Sequence, residues 1–160
     1  NKALGGGVIF DLGCYTTSMS LLIASMIENI NINNFKISDV QTQYLDTKVD
    51  VHSVAKINFD KKFSSVIKTS FKENYNETIV LCKEGKIILE NSWNTKMTSI
   101  ELVGKINKRI KFESLKNNYS LEIEQISKDI LKDKKEVSFP GISKIDTLTN
   151  TKIIENWRNG

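Results

Sequence analysis

Two side chains near the start of the sequence have types and spacing that suit proton transfer. Asp11 and Tyr15 are four residues apart, so on a helix both project from one face, and Ser18 joins them at the next turn. A carboxylate beside a phenol can take up and release a proton where a nearby cation or cofactor stabilises the phenolate. The alternative is that Asp11 caps the helix and Tyr15 begins its apolar stripe. Spacing alone favours this alternative, because such pairs are common.

Other residues offer weaker signals. His52 is the only histidine, and the sequence places it on an alternating strand far from Asp11, which favours a structural or surface role. Cys14 adjoins Tyr15 but has no histidine partner in its motif, so it is interpreted as a small apolar residue. The two cysteines lack the spacing of metal ligands, and no metal site is predicted. The run Gly5 to Gly7 is not a dinucleotide fingerprint, since no strand precedes it and its spacing differs.

The elements that must position these residues follow from hydrophobic periodicity. A helix is predicted after Asp11, with an apolar stripe at spacings of three and four: Tyr15, Met19, Leu22, Ile23, Met26, Ile27 and Ile30. From Phe35 the period changes to two and predicts about six strands, most of them in hairpins with turns at Asp60 to Lys62 and Lys83 to Gly85. Helical periods return at the end of the chain, in Tyr119 to Ile130 and again after Pro140 and Gly141, where Asp146 or Thr147 is predicted to cap the last helix.

This order predicts the α+β class. We expect an open, largely antiparallel mixed sheet of about six strands, with helices packed on one face. The 160 residues form a single domain in this interpretation. The other face of the sheet would offer apolar residues such as Ile57, Phe59, Ile67 and Phe71 or their alternates, and we expect it to be buried in a homo-oligomer.

Composition excludes several classes of function. The net charge is +4, but the 23 basic residues are nearly all lysine and are scattered between acids. Nucleic-acid binding favours arginine and clustered basic stripes, so no nucleic-acid partner is expected, and a lysine-rich RNA-binding domain ranks last. No apolar run reaches the length of roughly 18 residues that a membrane helix needs, and none follows Lys2 as a secretory signal would. A reduced, cytoplasmic setting is therefore predicted.

A family resemblance favours the proton-transfer interpretation of Asp11 and Tyr15 over the structural one. The segment Gly5 to Tyr15, GGGVIFDLGCY, resembles the G-G-G-x-x-x-D-x-G-x-(H/Y) signature that opens the C-terminal, substrate-binding domain of Gfo/Idh/MocA oxidoreductases. Four later stretches resemble the family's central hairpin, its glycine turn and its closing helices: Val49 to Ser70, Cys82 to Leu89, Tyr119 to Ile130 and Ile145 to Trp157. The resemblance covers nearly the whole chain, and its first segment is the chemically specific one.

The resemblance implies a role for this chain. Residues 1–160 would be the single C-terminal domain, for substrate binding and oligomerisation, of an NAD(P)-dependent enzyme. That enzyme would transfer a hydride between nicotinamide and a carbinol of a sugar, cyclitol or diol. The cofactor would be bound mainly by an N-terminal Rossmann domain that is absent from this chain, together with the family's E-K-P lysine. The resemblance makes Tyr15 and Asp11 the catalytic candidates, and makes Asp11, Tyr15 and Ser18 the substrate-binding ones. The residues that bind the cofactor are unknown.

Two departures and one alternative accompany this interpretation. Most members of the family have histidine where this chain has Tyr15, and many of those have an acid where this chain has Ser18. The fragment alone is expected to be inactive. The alternative function is a non-catalytic binding or dimerisation module of the same fold.

Overall fold

The computed structural model describes residues 2–93, 99–112 and 118–160. Contacts divide the chain into two compact units, Asn1–Asn74 with Glu136–Gly160 (unit 1) and Tyr75–Lys135 (unit 2). The single domain expected from the sequence stays a prediction.

Unit 1 begins with a short 3-10 helix, Lys2–Leu4, and the helix α1, Val8–Ser25. The helix predicted from Asp11 is present, but the predicted stripe does not form its buried face. The buried positions are Val8, Ile9, Gly13, Thr17, Ser20, Leu21 and Ala24, whereas Tyr15 and Met26 are 50% and 61% exposed. The reason is that α1 is apolar on most sides, and the side with the smallest residues fits closest to its neighbours.

Three antiparallel strands form the sheet of unit 1 in the order β1-β2-β3: β1 is Phe35–Tyr44, β2 is Asp50–Phe59 and β3 is Phe63–Ser70. The alternation predicted for β2 is confirmed, since its buried residues include Ser53, Ala55, Ile57 and Phe59. The predicted turn joins β2 to β3 with Asp60 and Lys61 at positive φ.

The core of unit 1 lies between one face of this sheet and two helices, α1 and α3, Lys144–Asn159. Trp157, Phe59 and Ile57 are fully buried there. Ile57, Phe59 and Ile67 therefore belong to the core, and they do not supply the open apolar face expected from the sequence. That outer face of β2 and β3 carries mainly polar side chains, such as Lys56 and Lys68.

The cap predicted for α3 is displaced by a few residues. Ser143 is the N-cap, and its hydroxyl oxygen accepts the N–H of Asp146, whose carboxylate accepts the N–H of Ser143. Asp146 is thus the third residue of a capping box and not the cap itself.

Unit 2 contains a second antiparallel sheet, in the order β4-β5-β6-β7, and the helix α2, Asn118–Ile130. The strands are β4, Glu77–Cys82; β5, Gly85–Glu90; β6, Ser99–Gly104; and β7, Lys108–Lys111. The hairpin predicted around Lys83 to Gly85 is confirmed by the pairing of Cys82 with Gly85. The sequence periodicity also predicts a last strand from Arg109 to Glu113, of which Glu113 lies outside the described residues.

The α+β class and the open sheet are confirmed. In the described part of the chain, the strands number three and four in two sheets, and every pair is antiparallel.

The sequence expectation that no apolar run reaches the length of a membrane helix is wrong for α1. By length and composition this helix could cross a membrane, since its 18 residues have a mean hydropathy of 1.4. Core helices pass the same test, and 39% of α1 is buried inside the molecule. The buried side of α1 packs against β2, β3 and α3. The expectation that the protein has no membrane partner stays a prediction.

Candidate functional site

The predicted site residues Asp11, Tyr15 and Ser18 all lie on α1. Their spacing places them on one helix face, so the structure brings the three together. Asp11 is exposed, Tyr15 is 50% exposed and Ser18 is partly buried. A molecule in solvent can therefore reach both the carboxylate and the phenol.

The local chemistry of this face is set by the helix itself. Asp11 lies in the first turn of α1, where the helix dipole favours a negative charge. The Ser18 hydroxyl donates to the backbone oxygen of Tyr15 at 2.9 Å, so that one hydroxyl hydrogen is already engaged. α1 contains no lysine or arginine. A cation that stabilised a phenolate at Tyr15 would have to come from another part of the protein.

A shallow groove continues the same face beyond Ser18. It lies between α1 and the segment that leads into α3, and its lining includes Ser18, Leu22, Ser25, Pro140, Ile142 and Asp146. The lining is mainly apolar with one carboxylate, and it includes no lysine or arginine. Such a groove suits a neutral or apolar substituent better than a phosphate.

Polar contacts hold α1 in place along its buried side. The hydroxyl of Thr17 donates to the backbone oxygen of Gly13 at 2.9 Å and also contacts Asn150 of α3. The hydroxyls of Ser20 and of Ser65, on β3, are 2.8 Å apart. These bonds satisfy polar groups in the core and fix the helix against two different elements.

Sequence reasoning missed one contact at the start of the helix. Asp50, the first residue of β2, is only 7% exposed, and its Oδ2 accepts the N–H of Ile9 at 2.8 Å. An acid at the start of an alternating strand gives no sign of a partner 41 residues away, and only the fold reveals this bond.

The other candidates lie apart from this face or lack the chemistry for it. Burial raises the pKa of the Cys14 thiol above its ordinary value, which disfavours the nucleophilic thiolate. His52 faces away from the helices on β2, and its Nδ1 lies 3.6 Å from Oε1 of Glu73. A hydrogen bond from Lys68 lowers the pKa of Glu73. His52 thus lies beside the ion pair of Lys68 and Glu73, on the opposite side of the sheet from α1.

Within the described residues, no group of three or more His, Cys, Asp or Glu side chains could hold a metal ion.

The fold places the chain beside one class of solved structures. The chain has the fold of the C-terminal domain of Gfo/Idh/MocA-type oxidoreductases, and the recognition made from the sequence is confirmed at that level. No family model and no curated protein matches the sequence.

Particular solved structures share this fold at low sequence identity. An aldose-aldose oxidoreductase from Caulobacter crescentus, complexed with glycerol, has a TM-score of 0.74 at 17% identity over 97% of this chain and 45% of its own. The 3-ketoreductase KijD10 from Actinomadura kijaniata, in complex with TDP-benzene and NADP, has a TM-score of 0.70 at 10% identity over 97% of this chain and 47% of its own. A dehydrogenase from Clostridium difficile has a TM-score of 0.70 at 13% identity over 93% of this chain and 46% of its own. The chain thus spans about half the length of each of these proteins.

Proposed function

We propose that this chain is the substrate-binding domain of an NAD(P)-dependent oxidoreductase. The reaction is hydride transfer between nicotinamide and a carbinol carbon of a sugar, cyclitol or diol. The observation that carries the proposal is the exposed pair Asp11 and Tyr15 on one face of α1, in a fold shared with oxidoreductases that include an aldose-aldose oxidoreductase and a 3-ketoreductase. By itself the chain is proposed to be inactive.

Tyr15 handles the proton in this proposal. In the oxidation direction, the phenolate oxygen accepts the proton of the carbinol hydroxyl while the carbon–oxygen double bond forms; in reduction, the phenol returns it. Asp11 accepts a hydrogen bond from a substrate hydroxyl and so orients the carbinol carbon. The hydroxyl of Ser18 binds a further part of the substrate where the groove begins.

A bound nicotinamide cofactor would supply the hydride chemistry. The glycine run of this chain does not fit the phosphates of a dinucleotide, because the Asp50 carboxylate fills the space beside Gly7 and would repel them. The cofactor is therefore proposed to bind mainly to a separate nucleotide-binding domain. We expect calorimetry with residues 1–160 to detect negligible binding of NAD or NADP; micromolar affinity would contradict this assignment.

The function is tested by Tyr15→Phe in the full-length enzyme. Loss of general acid/base catalysis predicts a fall of about 100- to 10,000-fold in kcat. The KM for the dinucleotide should stay within a few-fold. Asp11→Asn should raise the KM for the polyol as well as lower kcat, because it removes a charge that contacts substrate.

Two control variants accompany this test. Tyr44→Phe removes a phenolic hydroxyl that is similarly exposed on β1, and His52→Ala removes the lone imidazole. Both should leave the kinetics nearly unchanged. Near-normal turnover in Tyr15→Phe, with loss of turnover in His52→Ala, would place the proton transfer elsewhere.

We further propose that the protein is a cytoplasmic homo-oligomer that associates through an apolar face of the sheet of unit 2. The pairing in unit 2 places a set of half-buried apolar side chains on one face of β4 to β6: Val80, Ile87, Leu89, Ile100 and Leu102. A second copy is the proposed cover for this face.

The non-catalytic module remains the alternative function. It predicts the same association without turnover, so the Tyr15 experiment separates the two functions.

A further inference from the structure

The N-terminus of α1 is capped by a residue from another element. The N-cap position is Gly7, which has no side chain to accept a hydrogen bond from the first turn. The N–H of Ile9 instead donates to Oδ2 of Asp50 at 2.8 Å. A carboxylate at this place also interacts favourably with the helix dipole. An N-cap side chain usually accepts a hydrogen bond from an N–H of the first turn. In α1 the Asp50 carboxylate, at the start of β2, provides that acceptor.

Gly7 provides the room for that carboxylate. A Cβ at position 7 would lie 2.1 Å from Oδ1 and 2.9 Å from Oδ2 of Asp50. The φ of Gly7 is +143°, a conformation that L residues rarely adopt. By contrast, a Cβ on Gly5 would meet nothing within 4 Å. The third glycine of the run is therefore explained by the approach of Asp50 and by its own backbone conformation.

This contact lies at the end of α1 that carries the candidate site. At a rise of about 1.5 Å per residue, Ile9 is about 3 Å along the axis from Asp11 and about 9 Å from Tyr15. The other polar anchors of the helix, at Thr17 and Ser20, lie beyond Tyr15. Movement of the first turn would therefore displace Asp11 most, and Tyr15 less.

We propose that Asp50, with the space provided by Gly7, is a positioning residue for the candidate site. It fixes the first turn of α1, and through that turn it fixes the carboxylate of Asp11 and the phenol of Tyr15. The inference rests on the proposed function for its catalytic consequence. Asp50 is buried behind the first turn and acts through the helix, not on the substrate.

The competing explanation is that core packing alone positions the turn, since Val8 and Ile9 are 0% and 1% exposed. The two explanations predict different behaviour of the helix when only the carboxylate is removed. Packing alone predicts that the first turn stays in place. The proposal predicts local opening at Ile9 and Asp11 and a catalytic defect per folded molecule.

The experiment uses Asp50→Ala and Asp50→Asn in the full-length protein, with Asp46→Ala as the control because it removes an exposed acid from the loop before β2. Amide hydrogen exchange, measured residue by residue, should show protection at Ile9 falling about tenfold in Asp50→Ala. The kcat per folded molecule should fall by up to about 100-fold, as expected for a misplaced catalytic group, with the KM for the dinucleotide unchanged. Asp50→Asn retains an oxygen acceptor and should restore most of the protection and of kcat, and Asp46→Ala should match the unmodified protein.

Three results would overturn the proposal: unchanged exchange at Ile9 in Asp50→Ala, unchanged kcat per folded molecule despite faster exchange, or no rescue by asparagine.

A double-mutant cycle gives a further check, because Gly7→Ala should destabilise less in the Asp50→Ala background, where its methyl group no longer meets the carboxylate. Additive effects would contradict the pairing. Failure of the proposed function is recognised separately, by an Asp50→Ala protein with faster exchange at Ile9 and a Tyr15→Phe protein with normal turnover.

Discussion

The two units of the molecule differ in how they bury apolar side chains. All the buried hydrophobic residues of the described chain belong to unit 1, including Trp157, Phe59 and Ile153. In unit 2, within the described ranges, the only buried residue is polar, Asp129. Both units contain antiparallel strands with turns of similar chemistry, so local strand formation does not account for the difference.

The difference is the second layer. A sheet forms a core only when another layer covers its apolar face, and in unit 1 helices α1 and α3 cover it. In unit 2, the predicted stripe of α2 is exposed: Tyr119 72%, Ile123 64%, Ile126 49% and Ile130 65%. The comparison teaches that unit 1 is stabilised by its own core, whereas unit 2 leaves the apolar face of β4 to β6 only half-buried. We propose that a second copy covers that face of the sheet.

The largest effect that would test this comparison is on stability. Trp157→Ala removes a fully buried ring whose Nε1–H donates to the hydroxyl of Ser53 at 2.9 Å, and it should lower the free energy of unfolding by about 3–5 kcal/mol. Ile123→Ala, at an exposed position of α2, should change it by no more than about 0.5 kcal/mol. Urea unfolding followed by circular dichroism measures both. Similar losses in the two variants would show that α2 is packed as tightly as the core of unit 1.

The next effect concerns association. Leu102→Asp places a charge on the apolar face of β6, and charge burial at an interface should weaken self-association by at least about 30-fold. Val103→Asp is the matched control, because the neighbouring residue lies on the opposite face of the same strand. Sedimentation velocity of the full-length protein measures both. A monomeric starting protein, or dissociation by Val103→Asp alone, would contradict the proposed interface.

The two cysteines give a smaller test, one in each unit. Cys14 is partly buried in unit 1 and Cys82 is exposed in unit 2. Because burial raises the pKa of the Cys14 thiol, iodoacetamide at neutral pH should label Cys14 several-fold more slowly than Cys82. Mass spectrometry of peptides from a time course gives both rates, with Cys82→Ser confirming the assignment. Equal rates would mean that the side of α1 carrying Cys14 opens readily.

The sequence predicts which side chains of β2 face the core. It does not predict which face of α1 is buried. In β2 the alternation of Ser53, Ala55 and Ile57 directly encodes a buried and an exposed side. In α1, large apolar residues occur on several sides, while the closest packing selects small ones, with a Cβ on Gly13 only 3.3 Å from the ring of Trp157. The buried face of α1 therefore depends on Trp157, a residue far from Gly13 in the sequence. Hydrophobic periodicity within α1 does not reveal such a distant contact.

The candidate site also has one feature that the sequence predicts and one that it does not. The shared face of Asp11 and Tyr15 follows from a spacing of four within one helix, which is local information. The contact between Asp50 and Ile9 joins the start of a strand to the start of a helix, and only the folded chain brings them together. Residues that position a site are in this respect harder to predict than the residues they position.

The smallest effect expected is on the pH dependence of stability, with one titrating group in each unit. The hydrogen bond from Lys68 lowers the pKa of Glu73 in unit 1, and the hydrogen bond to Glu77 raises the pKa of Tyr75 in unit 2. The Glu73 ion pair therefore stabilises the fold above the ordinary range of a glutamate, and this contribution is lost as the pH falls through the lowered pKa. The Tyr75 contribution is present below the ordinary range of a tyrosine and is lost as the pH rises through the raised pKa.

Glu73→Gln should thus be slightly less stable than the unmodified protein at pH 7, and the two should converge in acid, where the unmodified protein has lost the ion pair. Tyr75→Phe should show its small deficit at neutral pH and converge in alkali. Glu28→Gln, at an exposed glutamate beyond α1, is the control for a change of one charge. Thermal unfolding from acid to alkaline pH measures all three variants. A Glu73→Gln deficit that stays constant from neutral to acid pH would show that the ion pair does not contribute, because only a titrating interaction disappears when its carboxylate is protonated.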